Sequence, residues 1–154
     1  MKCLSVKVDV HSKNQRSFNM AAIKSANTKP ELAIRKALFG RGFRYRLHKK
    51  DLPGKPDIVF PKLRAVIFVN GCFWHYHNCS LFKIPDTRHI WWQEKLQLNK
   101  KRDEKNVEML LNSGWRVMIV WECALRGNNK ILFNQLIEKI SNWLKSDKKL
   151  GLFI

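Results

Sequence analysis

Arg64-Ala65-Val66-Ile67-Phe68-Val69-Asn70-Gly71-Cys72-Phe73-Trp74-His75-Tyr76-His77-Asn78-Cys79 joins a strand to a chemistry. Four of its first six residues, Val66 to Val69, are β-branched or aromatic, the pattern of a buried strand. The next ten pack two thiols, two imidazoles and three large aromatics around a glycine. A strand emptying into such a loop places reactive side chains on a rigid edge.

Upstream, Asp57-Ile58-Val59-Phe60 reads as a strand that Pro61-Lys62 turns back into the quoted one. Asp51-Leu52-Pro53-Gly54-Lys55-Pro56 is turn chemistry, and Phe43-Arg44-Tyr45-Arg46-Leu47 alternates with period two as a further strand. Before it, Thr28 caps a helix with Pro30 in the first turn and Glu31 at the third position of a capping box. Leu32, Ile34, Leu38 and Phe39 form its apolar side, and Gly40-Arg41-Gly42 ends it. Residues 1–26 are irregular and basic, with a short helix at most near residues 19–26.

Downstream, a long helical pattern runs over residues 88–112 and closes at Gly114. Arg116-Val117-Met118-Ile119-Val120-Trp121 reads as a strand buried on both faces. Asn128 or Asn129 caps a last helix, with Ile131, Leu132, Leu136, Ile137, Ile140, Trp143 and Leu144 inward. The order predicts one α/β layer fold: helix, three strands, helix, strand, helix.

A chain of 154 residues, 45% hydrophobic, has material for one real core. Neither a membrane span nor a secretory leader is visible, so a soluble, cytoplasmic, nucleoid-associated monomer is expected. Thirty Lys and Arg against twelve Asp and Glu leave a formal charge of +18. That balance points to nucleic acid, where displaced counterions supply much of the binding free energy. No basic amphipathic helix stands out to serve an anionic membrane instead.

Four cysteines in a reducing compartment suit metal ligation better than disulfides. Cys72, His77 and Cys79 fall within eight residues, and Cys123 follows the last strand. Three sulfurs and one imidazole form a closed set suited to structural zinc. The competing reading is buried free thiols beside a surface histidine. Spacing alone does not choose between His75 and His77, and Cys3 has no assigned role.

Asp57 at the mouth of one strand faces the end of the next at Val69-Asn70, the layout of a nuclease magnesium site. Its bland reading is a turn residue capping its own backbone. Glu31 likewise has a sufficient role in the capping box.

Four blocks then tip the balance. Leu52-Pro53-Gly54-Lys55-Pro56-Asp57, Gly71-Cys72-Phe73-Trp74-His75, Gly114-Trp115-Arg116-Val117 and Trp121-Glu122-Cys123-Ala124-Leu125-Arg126-Gly127 stand in this order. Together they resemble the very short patch repair (Vsr) endonucleases, over most of the chain from residue 16 to 126. The resemblance implies a restriction-endonuclease-like fold of the PD-(D/E)XK type, a mixed sheet flanked by helices and carrying a structural zinc. A flexible basic segment over residues 1–15 would precede a single nuclease domain over 16–154. The implied activity is magnesium-dependent nicking of double-stranded DNA 5′ of the thymine in a T:G mismatch, left by deamination of 5-methylcytosine. Other DNA-repair proteins are possible partners.

Position by position, the resemblance makes Asp57 a magnesium ligand together with the Val69 carbonyl. His75 becomes the general base, a task suited to a side chain that titrates near neutrality. Glu31 assists through metal-bound water or by orienting His75. Cys72, His77, Cys79 and Cys123 become the zinc set. Phe73, Trp74 and Trp92 match wedges that enter the base stack, a device that trades unstacking for a deformed duplex. Trp92, Lys95 and Asn99 share one helical face, which would read the mismatched bases with Met20 approaching from the N-terminal segment. Trp115 and Trp121 read as core, while Lys100, Lys101 and Lys105 fit a solvated face. Many members carry Thr-His where this chain has Val69-Asn70. A carbonyl survives that change, but Asn70 is neither acid nor base, which loads the chemistry onto His75. A zinc-stabilised DNA-binding module without activity, and a nicking or restriction enzyme on matched DNA, remain as alternatives.

Overall fold

The structure, a computed structural model, describes residues 11–128 and 130–153. Cys3 and most of the segment expected to be flexible lie outside that range. Five strands form one mixed sheet in the order β1-β2-β3-β4-β5. β1 (Arg46–Leu47), β2 (Ile58–Phe60) and β3 (Ala65–Asn70) pair antiparallel, whereas β4 (Arg116–Trp121) and β5 (Leu150–Phe153) continue parallel to β3. β3 and β4 register residue for residue, Ala65 opposite Arg116 through Asn70 opposite Trp121. That register sets the Asn70 loop beside the segment carrying Cys123.

Helices cover both faces. α2 (Lys29–Gly40) and α4 (Phe133–Lys145) bury Ile34, Leu38, Leu136, Ile137, Ile140 and Leu144 against Ile58, Phe60, Ile67 and Met118. α3 (His89–Asn112) crosses the other face, where Leu110 meets Val59, Val66 and Val117. Two arginines tie strand starts to helix ends. Arg116 donates to the carbonyls of Trp143, Leu144 and Ser146, and Arg64 to that of Ser113. Cations at those C-terminal carbonyls satisfy acceptors that the helix itself leaves open.

Several expectations shift. The first helix, α1, is Lys13–Ala21 rather than a short helix near residues 19–26, because Ser12 accepts from the Gln15 amide and starts it earlier. On α2 the apolar side is narrower: Leu32 and Phe39 are exposed, and the third buried position is Glu31. Only Arg46 and Leu47 of the first strand pair, while Phe43 and Tyr45 pack edge-on to Phe60. Asn128 does not cap α4, which opens from Leu132 without a side-chain cap; Asn129 lies outside the described residues. Leu132 is exposed rather than inward.

β5 was not expected. Its four residues are short and carry Gly151, where a Cβ would stand 2.8 Å from the Met118 Cε and about 3 Å from the Trp143 ring. A glycine that reads as a breaker in sequence is here what lets the edge strand close on the core. Among the described residues, no helix is long and apolar enough to cross a membrane.

Candidate active site and metal centre

The loop after β3 is held by turns. Gly71, Cys72 and Phe73 carbonyls accept from the amides of His75, His77 and Tyr76, and Tyr76 adopts φ 52°. This winding turns Cys72 inward, where it is 1% exposed, and brings His77 and Cys79 back beside it. Cys123, in a 3₁₀ turn at Glu122–Ala124, arrives from the end of β4 with Sγ 3.6 Å from His77 Nδ1. The four ligand atoms lie within 4.8 Å of one another. Three soft sulfurs and a nitrogen, with no carboxylate among them, match the donor set of a closed tetrahedral site.

Burial pushes the Cys72 thiol up to about 12 and raises that of Cys123, so a cation is needed to make these sulfurs thiolates. Burial, then the charge of Lys100, lowers His77 and leaves its imidazole neutral and able to ligate. Its ring lies flat on Trp121, 4.1 Å between centroids at 8°. Trp121 also meets the edge of His75 at 6.3 Å. The residue expected as plain core is the wall that both histidines lean on.

A second cluster gathers around Asp57. Its Oδ2 accepts the Val69 amide at 2.8 Å, locking the carboxylate to the end of β3. Burial, and then the neighbouring Glu31 charge, raises its pKa to about 6 against the downward pull of that hydrogen bond. Glu31, 1% exposed, accepts from the Asn27 amide at 2.7 Å and pairs with Arg35 at 3.0 Å. Thr28 caps as expected, its hydroxyl 3.5 Å from the Glu31 amide. The return arm of the capping box reaches Asn27 rather than Thr28. His48, which sequence reading missed, stands between the carboxylates, with Nε2 3.1 Å from Glu31 and Nδ1 3.9 Å from Asp57.

His75 is held from α3. Its Nδ1 lies 2.5 Å from Asp103 Oδ2, an acid absent from the sequence-based set. A signal for it exists: Trp92, Lys95, Asn99 and Asp103 continue one helical face at i, i+3, i+7 and i+11. His75 does not contact Glu31 directly, and the imidazole beside Glu31 is that of His48. His75 and Asn70 border two cavities. One, of about 830 Å³, runs under α3 past Asp103 and Trp121, and the other, about 250 Å³, opens past Lys24, Thr28, Val69 and Trp74.

Phe73, Trp74 and Trp92 stand edge to face, with centroids 5.0–6.1 Å apart. Trp91, exposed, packs on Trp92 at 4.8 Å, and Lys95 Nζ lies over both indoles. Asn99 spends its amide on the Trp74 carbonyl, 3.2 Å away. Met20, on α1, is 41% exposed and lines neither cavity.

A locked carboxylate at a strand mouth, a carboxylate-held imidazole nearby and an aromatic ledge thus gather at one end of the sheet. A family model described as "DNA mismatch endonuclease Vsr" matches residues 8–81. The DNA mismatch endonuclease Vsr of Escherichia coli (strain K12) is 46% identical over 136 residues, 88% of this chain and 87% of that protein. The type II nicking enzyme V.XorIIP of Xanthomonas oryzae pv. oryzae is 47% identical over 114 residues, 74% and 84% of the two chains. The type II nicking enzyme V.NmeAIP of Neisseria meningitidis serogroup A is 42% identical over 137 residues, 89% and 96%. The chain belongs to the DNA mismatch endonuclease Vsr family.

Proposed function

We propose that this protein is a restriction-endonuclease-like, magnesium-dependent enzyme that nicks double-stranded DNA 5′ of the thymine in a T:G mismatch. The observation that carries this reading is the convergence of Asp57, the end of β3 and the Asp103-held His75 on one face, beside the aromatic ledge. Asp57 and the Val69 carbonyl would hold Mg²⁺, and Cys72, His77, Cys79 and Cys123 would hold structural Zn²⁺. Residues 16–154 would form the one nuclease domain, acting as a monomer.

Bound magnesium would supply charge stabilisation at the scissile phosphate. The chain's own part begins at Asp103. Its carboxylate can only accept, so His75 Nδ1 carries the proton and Nε2 keeps its lone pair. Nε2 is then free to take a proton from the attacking water. Asn70, buried at the end of β3, adds polarity there but no proton transfer. Phe73, Trp74 and Trp92 would enter the base stack, which a mismatch opens at lower cost. Lys95, over the indoles, would approach the DNA backbone, while Asn99 holds the Trp74 main chain. Met20, on the basic N-terminal side, would reach the duplex from across the groove.

The test is cleavage of a library of T:G duplexes with varied flanks beside matched controls, with the new ends sequenced. Nicking confined to the thymine strand of mismatched duplexes is expected; equal cutting of matched DNA would replace the reading with a restriction-type activity. His75→Ala is expected to slow the single-turnover nicking rate by about 10²–10⁴-fold with DNA affinity kept. Asp103→Asn, which permits the wrong tautomer, should cost roughly 10²-fold or more. A His75→Ala enzyme nicking at the parent rate would remove the general-base assignment.

A further inference from the structure

His48 holds an unusual backbone. Its φ is 46°, in the left-handed region that few residues other than glycine occupy. Its amide donates to the Asp57 carbonyl at 3.3 Å, extending the β1–β2 ladder by one step beyond Leu47 and Ile58. The strained conformation delivers the imidazole between two carboxylates, and strain kept at such a place points to function.

Its two nitrogens have different surroundings. Nε2 is shielded from solvent and faces Glu31 Oε1 at 3.1 Å, off the alignment of a formal hydrogen bond. Glu31 is itself fixed by Asn27 and Arg35. Nδ1 faces Asp57 Oδ1 at 3.9 Å, too long for a hydrogen bond. That separation suits two donors sharing one divalent cation, whose bonds run about 2.1 Å each. A carboxylate behind one ring nitrogen and a cation before the other is the common arrangement of a metal-ligating histidine.

We infer that His48 is a third protein ligand of the active-site cation, with Glu31 as its positioning residue. The inference rests on the reading of Asp57 as a cation ligand. A nitrogen donor makes this a mixed N/O site, which takes Mn²⁺ in preference to Mg²⁺. Magnesium holds all-oxygen surroundings, whereas imidazole suits the first-row transition ions.

The experiment is Mn²⁺ binding by the zinc-loaded full chain, read by electron paramagnetic resonance, with Mg²⁺ measured by competition. Pulsed measurement of ¹⁴N coupling reports whether an imidazole ligates the bound Mn²⁺. His48→Asn is the principal variant, because asparagine tolerates the left-handed backbone and offers an oxygen toward Asp57. His48→Gln is the second. The parent protein is expected to show ¹⁴N coupling and to bind Mn²⁺ more tightly than Mg²⁺. Both variants should lose that coupling and on the order of ten-fold in Mn²⁺ affinity, with Mg²⁺ affinity held within about two-fold. Unchanged Mn²⁺ affinity and coupling in folded His48 variants would overturn the inference, as would equal losses for both ions. Asp57→Asn separates the layers. Mn²⁺ binding lost there but kept in the His48 variants sinks only the inference, while Mn²⁺ binding unaffected by Asp57→Asn sinks the reading beneath it.

Discussion

Asp57→Asn is expected to cut the nicking rate by at least about a thousand-fold, and at the same time to raise the melting temperature of the magnesium-free protein. The two effects have one cause. Asp57 is 17% exposed at its side chain, close to Glu31, and ionises only near pH 6 in the fold against an ordinary 3.8. Between those values the folded protein holds a proton that the unfolded chain has already released. Stability therefore falls as pH rises from 3.8 to about 6, and the deficit is complete above it. At neutral pH the ionised carboxylate costs the metal-free fold on the order of 3 kcal/mol. Asparagine keeps an oxygen for the Val69 amide and removes the charge, so melting should rise by roughly 5 °C or more. It also removes the charge that draws a divalent cation. Added Mg²⁺ should stabilise the parent protein and leave Asp57→Asn unchanged. Calorimetric scans at pH 5 and pH 7.5, with and without Mg²⁺, check the linkage beside the cleavage assay. A variant that nicks normally would remove Asp57 from the chemistry.

Local patterns carried most of this molecule. β-branched runs marked β2, β3 and β4, the capping residues marked α2, and Gly114 marked the end of α3. The Cys72–Cys79 spacing with Cys123 anticipated a cluster that the fold closes. What escaped depends on pairing across distance. His48 is one antiparallel step beyond Leu47, opposite Asp57, yet the eight residues between them read only as turn. Asp103 lies 28 residues from His75, and only the extended helical face links them. Trp121 looked apolar in a strand of apolar residues, because stacking on an imidazole leaves no mark in periodicity. β5 was hidden by Gly151, whose requirement is set by Met118 and Trp143 from other elements. Glu31 shows the converse: the capping-box reading was sound, but it could not reveal that α2 buries this acid.

Removing zinc is expected to have the widest effect on the molecule. The loop from Gly71 to Phe82 contains no regular strand or helix; its backbone is held by turn hydrogen bonds of 3.0–3.3 Å, and its ties outward are the His75–Asp103 and Asn99–Trp74 contacts and ring packing on Trp92 and Trp121. Little in it would offset the entropy of fixing these residues, about 1–2 kcal/mol each for the backbone. Structural zinc contributes an apparent 10–16 kcal/mol in small domains, as much as the whole stability of many proteins. Even a third of that, lost from a 154-residue chain, would lower melting by about 10 °C. Cys72→Ala should therefore purify without its zinc, melt at least that much lower and fail to nick even with saturating Mg²⁺. Cys79→Ala, at the more open corner of the set, should lose less stability. The lost activity would have a mechanical origin: His75 lies between two of the proposed zinc ligands, Cys72 and His77, and reaches Asp103 from the wound loop. The His75 ring resonance, followed by nuclear magnetic resonance on chelation, should thus move toward that of an exposed histidine before the sheet unfolds. One zinc per chain by native mass spectrometry, falling to none in Cys72→Ala, is the accompanying measurement. A zinc-free protein with parental melting temperature and an unmoved His75 resonance would show that the four-residue cluster is a set of buried thiols and not a metal staple.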